Sequence, residues 1–323
     1  MESVKQGQLY KYQILTKDNA PSRAQRVLHT DDILFQCVRP YQMNNYMVKG
    51  TMSDIQWVAS TGYAQIRTQT DYPAFLYYVL NTSKYNKAVM VRCTGSSYPA
   101  INSEDLSKIP FYKCGIAEQK KIADFLSLLD ERIATQNKVI DKLQSLIKGI
   151  AQKIVHSNKP NVRLSECLEC KSSTLQESEV CEQGTYPVYG ANGIVGYLDN
   201  YNTESEAVYI IKDGSGVGTV SYVTGKCSAT GTLNTLQAKE GYSLHYLYYL
   251  LKVFNFEPYK TGMAIPHIYF KDYGKAKVFC PSYTEQLQYA RLLSAIDNKL
   301  SIEQNILTEL SLQKQCLLRQ MFI

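Results

Sequence analysis

Two stretches of this 323-residue chain decide its fold: AEQKKIADFLSLLD at residues 117–130 and TEQLQYARLLSAID at residues 284–297. They lie 167 residues apart, and several matching positions carry identical residues. Two copies are too few for a stacked solenoid, so the repeat predicts a two-lobed, pseudo-symmetric protein. Identical pairs include Glu118 and Glu285, Ala123 and Ala290, Ser127 and Ser294, Asp130 and Asp297, and, upstream, Thr94 and Thr261, Gly95 and Gly262, Pro99 and Pro266, Ile101 and Ile268, Asp105 and Asp272.

A long amphipathic helix is predicted in each copy. Residues 117–155 contain no proline, and their apolar residues recur at alternating steps of four and three, which is the heptad pattern of a coiled coil. Residues 284–323 carry the same stripe. At 1.5 Å per residue such a helix is about 58 Å long, well beyond an ordinary globular helix. The predicted interface residues are Ile122, Leu126, Leu129, Ile133, Gln136, Ile140, Leu143, Leu293, Ile296, Leu300, Glu303, Leu307 and Leu310.

Each striped helix has to bury its stripe, and the other copy is the simplest partner. If a two-fold axis relates the copies, the helices run antiparallel, and Gln136 meets Glu303 near the axis as a polar layer that fixes the register. The alternative is that each helix packs only on its own lobe. The predicted fold class is therefore α+β, with two pseudo-symmetric strand-rich domains separated by a long antiparallel two-helix coiled coil.

Within the lobes, short apolar runs and turn residues predict individual elements. The first lobe begins shorter than the second and lacks an opening strand, so we expect residues 1–20 to be poorly anchored. The predicted strands are 32–37, 162–167 and 207–211, and the predicted short helices are 74–80 and 244–253.

Composition bounds the class of protein. Hydrophobic residues make up 45% and charged residues 20% of the chain, which is typical of a globular protein. No run of about 18 apolar residues and no apolar leader is present, which predicts a cytoplasmic protein with no membrane association. Nine cysteines, an odd number, are then expected to be reduced thiols. Cys167 and Cys170 form a lone Cys-x-x-Cys, so no metal site is predicted.

No catalytic motif emerges from the sequence. Residues 213–218 read DGSGVG, but this stretch lacks the Lys-Ser/Thr of a phosphate-binding loop and predicts a turn. The four histidines show neither zinc nor triad spacing. We therefore expect a chain without an active site or a cofactor of its own.

Binding chemistry is suggested instead by residues in loops. The net charge of +6 is only mildly basic, but 26 tyrosines, many beside Asn, Lys or Gly, offer contact area at low entropic cost. A guanidinium, an aromatic ring and several amides follow the strand at 32–37, and such groups reach base edges in the major groove. Each also has an ordinary interpretation as a solvated loop residue. The candidate DNA contacts are Arg39, Tyr41, Gln42, Asn44, Asn45, Lys49, Ser97 and Tyr98 in the first lobe, and Lys212, Ser215, Lys226, Lys260 and His267 in the second.

With these features in place, the chain resembles the specificity subunit of type I restriction–modification systems over essentially its whole length. The most specific segments are 117–130 and 284–297. Residues 32–35 (DILF) followed by residues 38–41 (VRPY), and residues 190–197 (GANGIVGY), also resemble segments of that family's target recognition domains.

The resemblance implies a non-catalytic reader of double-stranded DNA with a bipartite target. Each lobe would read one half of the target, and the helices would set the gap. Two methylation subunits would bring S-adenosylmethionine, and restriction/translocation subunits would bring ATP and Mg²⁺. The alternatives are a two-lobed coiled-coil scaffold for proteins and an unrecognised nuclease or methyltransferase. The implied domains are target recognition domains at 1–116 and 156–283, and spacer helices at 117–155 and 284–323.

Overall fold

In a computed structural model of the chain, residues 3–5, 7–50 and 55–322 are described. Internal contacts divide the chain into two units. Unit 1 comprises Met1–Asn137 and Asn305–Ile323, and unit 2 comprises Lys138–Gln304. Each unit thus contains one lobe with a part of both long helices. The predicted domain boundaries, which follow the sequence copies, stay a prediction.

Unit 1 combines small antiparallel sheets with three short helices and parts of both long ones. The central strand β4 pairs with β5 and β7, β3 pairs with β6, and β1 with β2. The elements are β1 (Val4–Lys5), β2 (Gln8–Leu9), β3 (Ala24–Val27), β4 (Ile33–Gln36), β5 (Tyr46–Met47), β6 (Val58–Ser60), β7 (Tyr63–Ile66), α1 (Pro73–Leu80), α2 (Ser83–Arg92), α3 (Ser103–Ser107) and α4 (Ile116–His156).

The sequence explains where the short helices of unit 1 begin. Pro73 occupies the first turn of α1, where a missing N–H costs nothing. The Thr82 hydroxyl accepts a hydrogen bond from Tyr85 N at the start of α2, and Asn102 accepts one from Asp105 N at the start of α3. The helices cover one face of β4, where Ile33 and Phe35 pack with apolar residues of α1 and α2 in the core of the unit.

Asp32 is a charged residue inside unit 1. It is fully buried, and its carboxylate accepts hydrogen bonds from Arg67 Nε (2.7 Å), Arg67 Nη2 (2.9 Å), Gln65 Nε2 (2.7 Å) and His29 N (2.8 Å). Burial by itself raises the pKa of Asp32, but these donors together hold that pKa below its ordinary value. The carboxylate is therefore ionised at neutral pH and ties β7 to the start of β4.

Unit 2 is built around a four-stranded antiparallel sheet in the order β13, β12, β15, β9. A second sheet has the order β11, β10, β14, and β16 pairs with β8. The elements are β8 (Val162–Arg163), α5 (Leu164–Cys167), β9 (Leu168–Ser172), β10 (Tyr186–Gly190), β11 (Gly193–Leu198), β12 (Ala207–Ile211), β13 (Val220–Val223), β14 (Ser228–Ala229), β15 (Leu233–Ala238), α6 (Leu244–Val253), α7 (Phe270–Tyr273), β16 (Lys277–Val278) and α8 (Tyr283–Met321).

Most predicted elements are confirmed, and one is wrong. The strands at 32–37 and 207–211, the short helices at 74–80 and 244–253, and both long helices are present within one or two residues of their predicted ends. The strand at 162–167 is wrong, because only Val162–Arg163 is extended. Glu166 Oε2 accepts the Arg163 N–H (3.2 Å), and this contact starts a helical turn at Leu164.

The beginning of the chain is only partly exposed. Val4 is buried, whereas Tyr10, Tyr12 and Ile14 are exposed, although the Tyr12 ring lies 5.6 Å from that of Trp57. Residues 1, 2 and 6 of the segment that we expect to be poorly anchored lie outside the described residues. The expectation of poor anchoring therefore does not hold for Val4, and for the exposed residues it stays a prediction.

Within unit 1, the first part of α4 and the last part of α8 run in opposite directions. Ile122 lines the same cavity as Met321, whereas Asp130, two turns later on α4, accepts a hydrogen bond from Lys314. The partner number falls as the α4 number rises, so the two segments are antiparallel. Phe322 continues this packing, with its ring 5.4 Å from that of Phe75.

The predicted seam residues are all buried or half-buried. Leu126, Ile140, Leu293, Leu300 and Leu310 are the buried apolar members. The predicted polar layer has a buried Glu303, whose carboxylate lies 2.5 Å from Lys299 Nζ, and a half-buried Gln136. The meeting of Gln136 with Glu303 stays a prediction.

The repeated residues of the long helices anchor each lobe to its own helix. Gln119 is buried; its Oε1 accepts from Tyr72 N (2.9 Å), and its Nε2 donates to Cys114 O (2.9 Å). Its counterpart in unit 2, Gln286, accepts from Ser243 N (2.9 Å) and donates to Pro281 O (2.9 Å). In both units, one amide joins the start of the buried lobe helix to the segment that precedes the long helix.

A second repeated anchor lies three turns further along each long helix. Tyr78 OH donates to Asp130 Oδ2 (2.9 Å) in unit 1, and Tyr249 OH donates to Asp297 Oδ2 (3.3 Å) in unit 2. Burial, reinforced by the adjacent carboxylate, raises the pKa of both tyrosines, so both hydroxyls stay protonated donors. Both copies of the repeat thus have an aspartate at this position, Asp130 and Asp297, because each accepts a hydrogen bond from a buried tyrosine of its lobe.

Candidate nucleic-acid interface

The candidate surface of unit 1 begins where β4 ends. Arg39 and Met43 flank a single turn at Pro40–Gln42, and both adopt left-handed backbone conformations (φ 55° and 51°) that are uncommon for residues other than glycine. Arg39 N donates to Pro99 O (2.7 Å), which joins this turn to the loop at residues 94–100. The Arg39 guanidinium lies over the exposed Tyr98 ring, 4.4 Å from its centroid. The stacked pair is a planar cationic donor held in place by a ring.

Amide side chains below the turn fix its shape. Gln36 is fully buried; its N–H donates to Asn45 Oδ1 (2.8 Å) and its Nε2 donates to Gln42 Oε1 (2.9 Å). Gln36 Oε1 in turn accepts from Asn44 N (3.1 Å). Asn45 is also buried, and its Nδ2 donates to Asn81 Oδ1 (3.1 Å). Asn45 therefore supports the turn from inside and does not present its amide to a ligand, contrary to the prediction, made from residue type alone, that it contacts DNA.

The remaining unit 1 candidates divide into two places. Tyr41, Gln42 and Ser97 are exposed around the Arg39–Tyr98 pair, and Asn44 is half-buried beside them. Lys49 is exposed and follows β5, whose Met47 pairs with Ile33 at the opposite end of β4 from Arg39. It nevertheless lines the same cavity as Gln42.

Unit 2 repeats the backbone of this surface with different side chains. Gly214 N donates to Pro266 O (3.0 Å), the counterpart of the Arg39–Pro99 bond. Ile268 N donates to Lys212 O (2.9 Å), as Ile101 N does to Cys37 O (3.0 Å). Gly214 therefore occupies the place of Arg39, and the loop at 261–267 occupies the place of the loop at 94–100.

Three of the five unit 2 candidates meet at this loop. Lys212 and Ser215 lie on the turn after β12, and His267 forms a β-bridge with Asp213 on that turn. Lys260 precedes the loop directly, but its Nζ lies 2.5 Å from Glu257 Oε1. Lys226 lies elsewhere: it stacks over Tyr201 (4.7 Å) in the loop after β13, at the Ala207 end of β12.

Two exposed apolar residues at the tip of the unit 2 loop were not among the sequence candidates. Met263 is fully exposed, and Ile265 is 66% exposed. Their counterparts in unit 1 at the 167-residue spacing are Ser96 and Tyr98. The repeat spacing could have identified both positions, because it places them between the matched glycine and the matched proline.

The two lobes differ in charge as well. Residues 1–116 contain 13 Lys and Arg against 8 Asp and Glu, whereas residues 156–283 contain 11 against 12. The first lobe, with its net positive charge, is therefore expected to attract DNA phosphates more strongly than the second lobe. Among the described residues, no group of three or more His, Cys, Asp or Glu side chains is placed to hold a metal ion, and no helix there is long and apolar enough to cross a membrane.

Comparison with known proteins matches this repeated architecture. The family model for the type I restriction modification DNA specificity domain matches residues 3–145 and, a second time, residues 157–312. The chain belongs to this family. Its two halves each carry one specificity domain, and its function is that of a DNA specificity subunit of a type I restriction–modification system.

Relatives of this specificity family share modest identity with the chain. A Mycoplasma genitalium protein described as a type I specificity subunit is 26% identical over 273 residues, which are 77% of this chain and 70% of that protein. The EcoprrI specificity subunit of Escherichia coli is 27% identical over 130 residues, 40% of this chain and 31% of that protein.

Solved structures show the same fold. The crystal structure of the S subunit of a type I restriction–modification system from M. genitalium matches with a TM-score of 0.67 at 18% identity, and the match covers 97% of this chain and 92% of that one. A structure from a study of complex assembly in the type I system matches with a TM-score of 0.56 at 19% identity, over 99% and 89% of the two chains. At these identities the likeness concerns the fold alone.

Proposed function

We propose that each unit of this specificity subunit reads one half of a bipartite DNA target. The observation that carries the proposal is the repeated loop pair: in both units, the turn after the central strand is hydrogen-bonded to a Thr-Gly-x-x-x-Pro loop. Arg39, Tyr41 and Tyr98 supply the contacts in unit 1, and Lys212, Ser215 and His267 supply those in unit 2. A guanidinium held on a ring is suited to bidentate hydrogen bonds with guanine O6 and N7.

The long helices set the length of the unread gap in this proposal. An α-helix of about 58 Å spans at most roughly 17 base pairs at 3.4 Å each. The two lobe anchors on each helix, at Gln119 and Asp130 and at Gln286 and Asp297, support a fixed placement of each lobe along its helix.

We further propose that two methylation subunits bind the exposed apolar positions of the helices. Phe125 and Leu292 are counterparts in the repeat, and both are about half exposed on long helices. Leu128 lies one turn from Phe125 and is also exposed. A matched pair of such positions suits two copies of one partner.

The catalytic chemistry is proposed to lie on the partners in the cytoplasm. Methylation subunits would bring S-adenosylmethionine, and restriction subunits would bring ATP and Mg²⁺. The chain itself would hold no cofactor and catalyse no step. This chain would contribute the recognition of the DNA sequence and of the spacing between the two half-sites.

Selection from a random library of duplexes tests the reading of DNA. The full chain, purified with its methylation subunits, is expected to enrich duplexes that share two short fixed sequences at one spacing. Binding should weaken as salt rises, because lysine and arginine contacts with phosphates release counterions. Enrichment of no sequence would favour a protein scaffold, and turnover of DNA by the isolated chain would favour an enzyme.

The docking proposal has its own test. Phe125→Ser and Leu292→Ser are expected each to reduce the number of methylation subunits that co-purify, with the double variant losing both. Glu118→Ser, at an exposed polar position of the same helix, serves as the control. Full retention of both partners by the double variant would contradict docking at these positions.

A further inference from the structure

The loop at 261–267 holds its tip in one conformation. Thr261 N donates to His267 O (2.9 Å), and His267 N donates to Thr261 O (2.8 Å), which closes a five-residue loop. Gly262 has a left-handed backbone (φ 90°), and a Cβ there would lie 2.3 Å from Ile265 O, so only glycine fits. The side chains between these contacts are presented by a closed loop rather than by a loose segment.

This tip presents apolar side chains to solvent. Met263 is fully exposed and Ile265 is 66% exposed. The equivalent tip of unit 1 presents Ser96 and Tyr98, with the Arg39 guanidinium stacked on the ring. The same backbone thus carries polar, cationic chemistry in one unit and apolar chemistry in the other.

Given the proposed function, on which this inference rests, the apolar tip faces DNA. Duplex DNA offers apolar side chains two kinds of contact: the C5-methyl group of thymine in the major groove, or base faces exposed by unstacking a step. Unstacking is costly, and proteins offset it by wrapping bent DNA around a basic surface. Residues 156–283 contain 11 basic and 12 acidic residues, so this lobe offers no excess of positive charge for wrapping. Of the two kinds of contact, the one with the C5-methyl group of thymine therefore agrees better with the charge of this lobe.

We propose that Met263 and Ile265 are specificity-determining residues that contact the C5-methyl group of a thymine in the half-site read by unit 2. Polar groups on the adjacent turn, Lys212 and Ser215, would supply the hydrogen bonds next to this contact. The two units would then read by different chemistry, guanine edges through Arg39 in unit 1 and a thymine methyl through the tip in unit 2.

Replacement of thymine by deoxyuridine tests this inference, because the exchange removes only the methyl group. The selected bipartite duplex is prepared with deoxyuridine in one half-site, in the other, or in neither, and binding to the chain with its methylation subunits is measured. The wild-type complex is expected to lose about fourfold in affinity for one methyl contact when the unit 2 half-site is changed.

A double variant links this loss to the tip. Met263→Ser with Ile265→Ser should bind the thymine duplex less well and show no further loss with deoxyuridine in that half-site. Tyr98→Ser, at the counterpart position, should leave this deoxyuridine effect unchanged and weaken recognition of the other half-site. Unchanged thermal unfolding temperatures would show that all variants remain folded.

Three outcomes would overturn the inference. These are a unit 2 half-site without A·T pairs, a double variant that keeps the wild-type response to deoxyuridine, and a loss of affinity that is equal for all duplexes, including unrelated ones. Each leaves the bipartite reading itself intact. Failure to select any split sequence would instead refute the proposed function.

Discussion

The side chain of Arg39 is already positioned by the protein itself. Its guanidinium lies 4.4 Å from the Tyr98 centroid, and its backbone is fixed by the bond to Pro99. In the proposed contact with DNA, fewer rotamers would then have to be lost on binding, so this pair would contribute more to recognition than a free surface arginine.

Arg39→Ala is expected to weaken binding by about 1–3 kcal/mol for duplexes with the correct unit 1 half-site and to have little effect once that half-site is scrambled. Fluorescence anisotropy with the two duplexes measures the difference. Arg92→Ala, at an exposed arginine of α2, is the control and should change neither value by much. An equal loss on both duplexes would make Arg39 a phosphate contact.

The buried Asp32 gives unit 1 a pH-dependent part of its stability. Its folded pKa is lowered, so its contribution is present above the unfolded pKa of about 3.9 and is lost as pH falls through the folded value. Asp32→Asn should reduce the free energy of unfolding at pH 7 by about 1–3 kcal/mol, because the Arg67 and His29 donors lose a charged acceptor.

Urea unfolding of wild type and Asp32→Asn between pH 7 and pH 3 measures this contribution. The difference between the two proteins should shrink as the pH falls. Asp18→Asn, at an exposed aspartate of the same unit, should show no difference at either pH. A constant difference for Asp32→Asn across the range would contradict the account of the buried carboxylate.

Residue types in the sequence indicate what could contact DNA, but not what stays exposed. Arg39 and Tyr98 were both predicted, yet nothing local in the sequence brings the two together. Asn45 belongs to the same polar loop but is buried, because its amide satisfies Gln36 N and Asn81. Met263 was missed, because apolar residues are expected in cores and only the structure shows it at a tip.

Among the elements, the long helices are the most predictable, since more than four heptads of periodic apolar residues leave few alternatives. The segment at 162–167 is too short for periodicity to decide, and one contact of Glu166 makes part of it helical. The anchors at Gln119 and Gln286 were visible as repeated letters, but their hydrogen bonds join residues more than 40 positions apart.

Each anchor glutamine should contribute measurably to the stability of its own unit. Gln119→Ala or Gln286→Ala leaves a buried backbone N–H, of Tyr72 or of Ser243, without its acceptor, at a cost of about 1–3 kcal/mol. Chemical denaturation checks the value, with Gln144→Ala, on the exposed face of α4, as the control. A loss no greater than that of Gln144→Ala would contradict the role of the anchors.

The proposed spacer role of the helices predicts that the length of the unread gap changes in steps when whole heptads are inserted. One extra heptad in each helix, near residues 137 and 304, adds about 10.5 Å of helix, and the unread gap should widen by about 3 base pairs. Selection from a library with randomised spacing measures the gap. A heptad inserted in α4 alone, which breaks the match of the two seams, is the control and should reduce stability. A gap that does not change would refute the spacer.

At the scale of the whole molecule, the repeat means that the two units share one backbone arrangement and differ in the side chains of their candidate DNA-binding loops. The identical residues of the repeat include the lobe anchors and the glycine and proline of the loop, whereas the residues at the loop tip differ between copies, as Tyr98 and Ile265 do. Two-lobed organisation could therefore be predicted from the sequence alone, while the bases read by each lobe depend on side chains that the repeat does not share.

The central claim, that two units read two half-sites at a fixed spacing, is tested most directly by sequencing the methylome of cells that carry this chain with its methylation subunits. The expected result is one motif of two short defined sequences separated by a constant number of unspecified bases, present only when the chain is present. A continuous motif, a variable gap, or methylation that does not depend on the chain would contradict the claim.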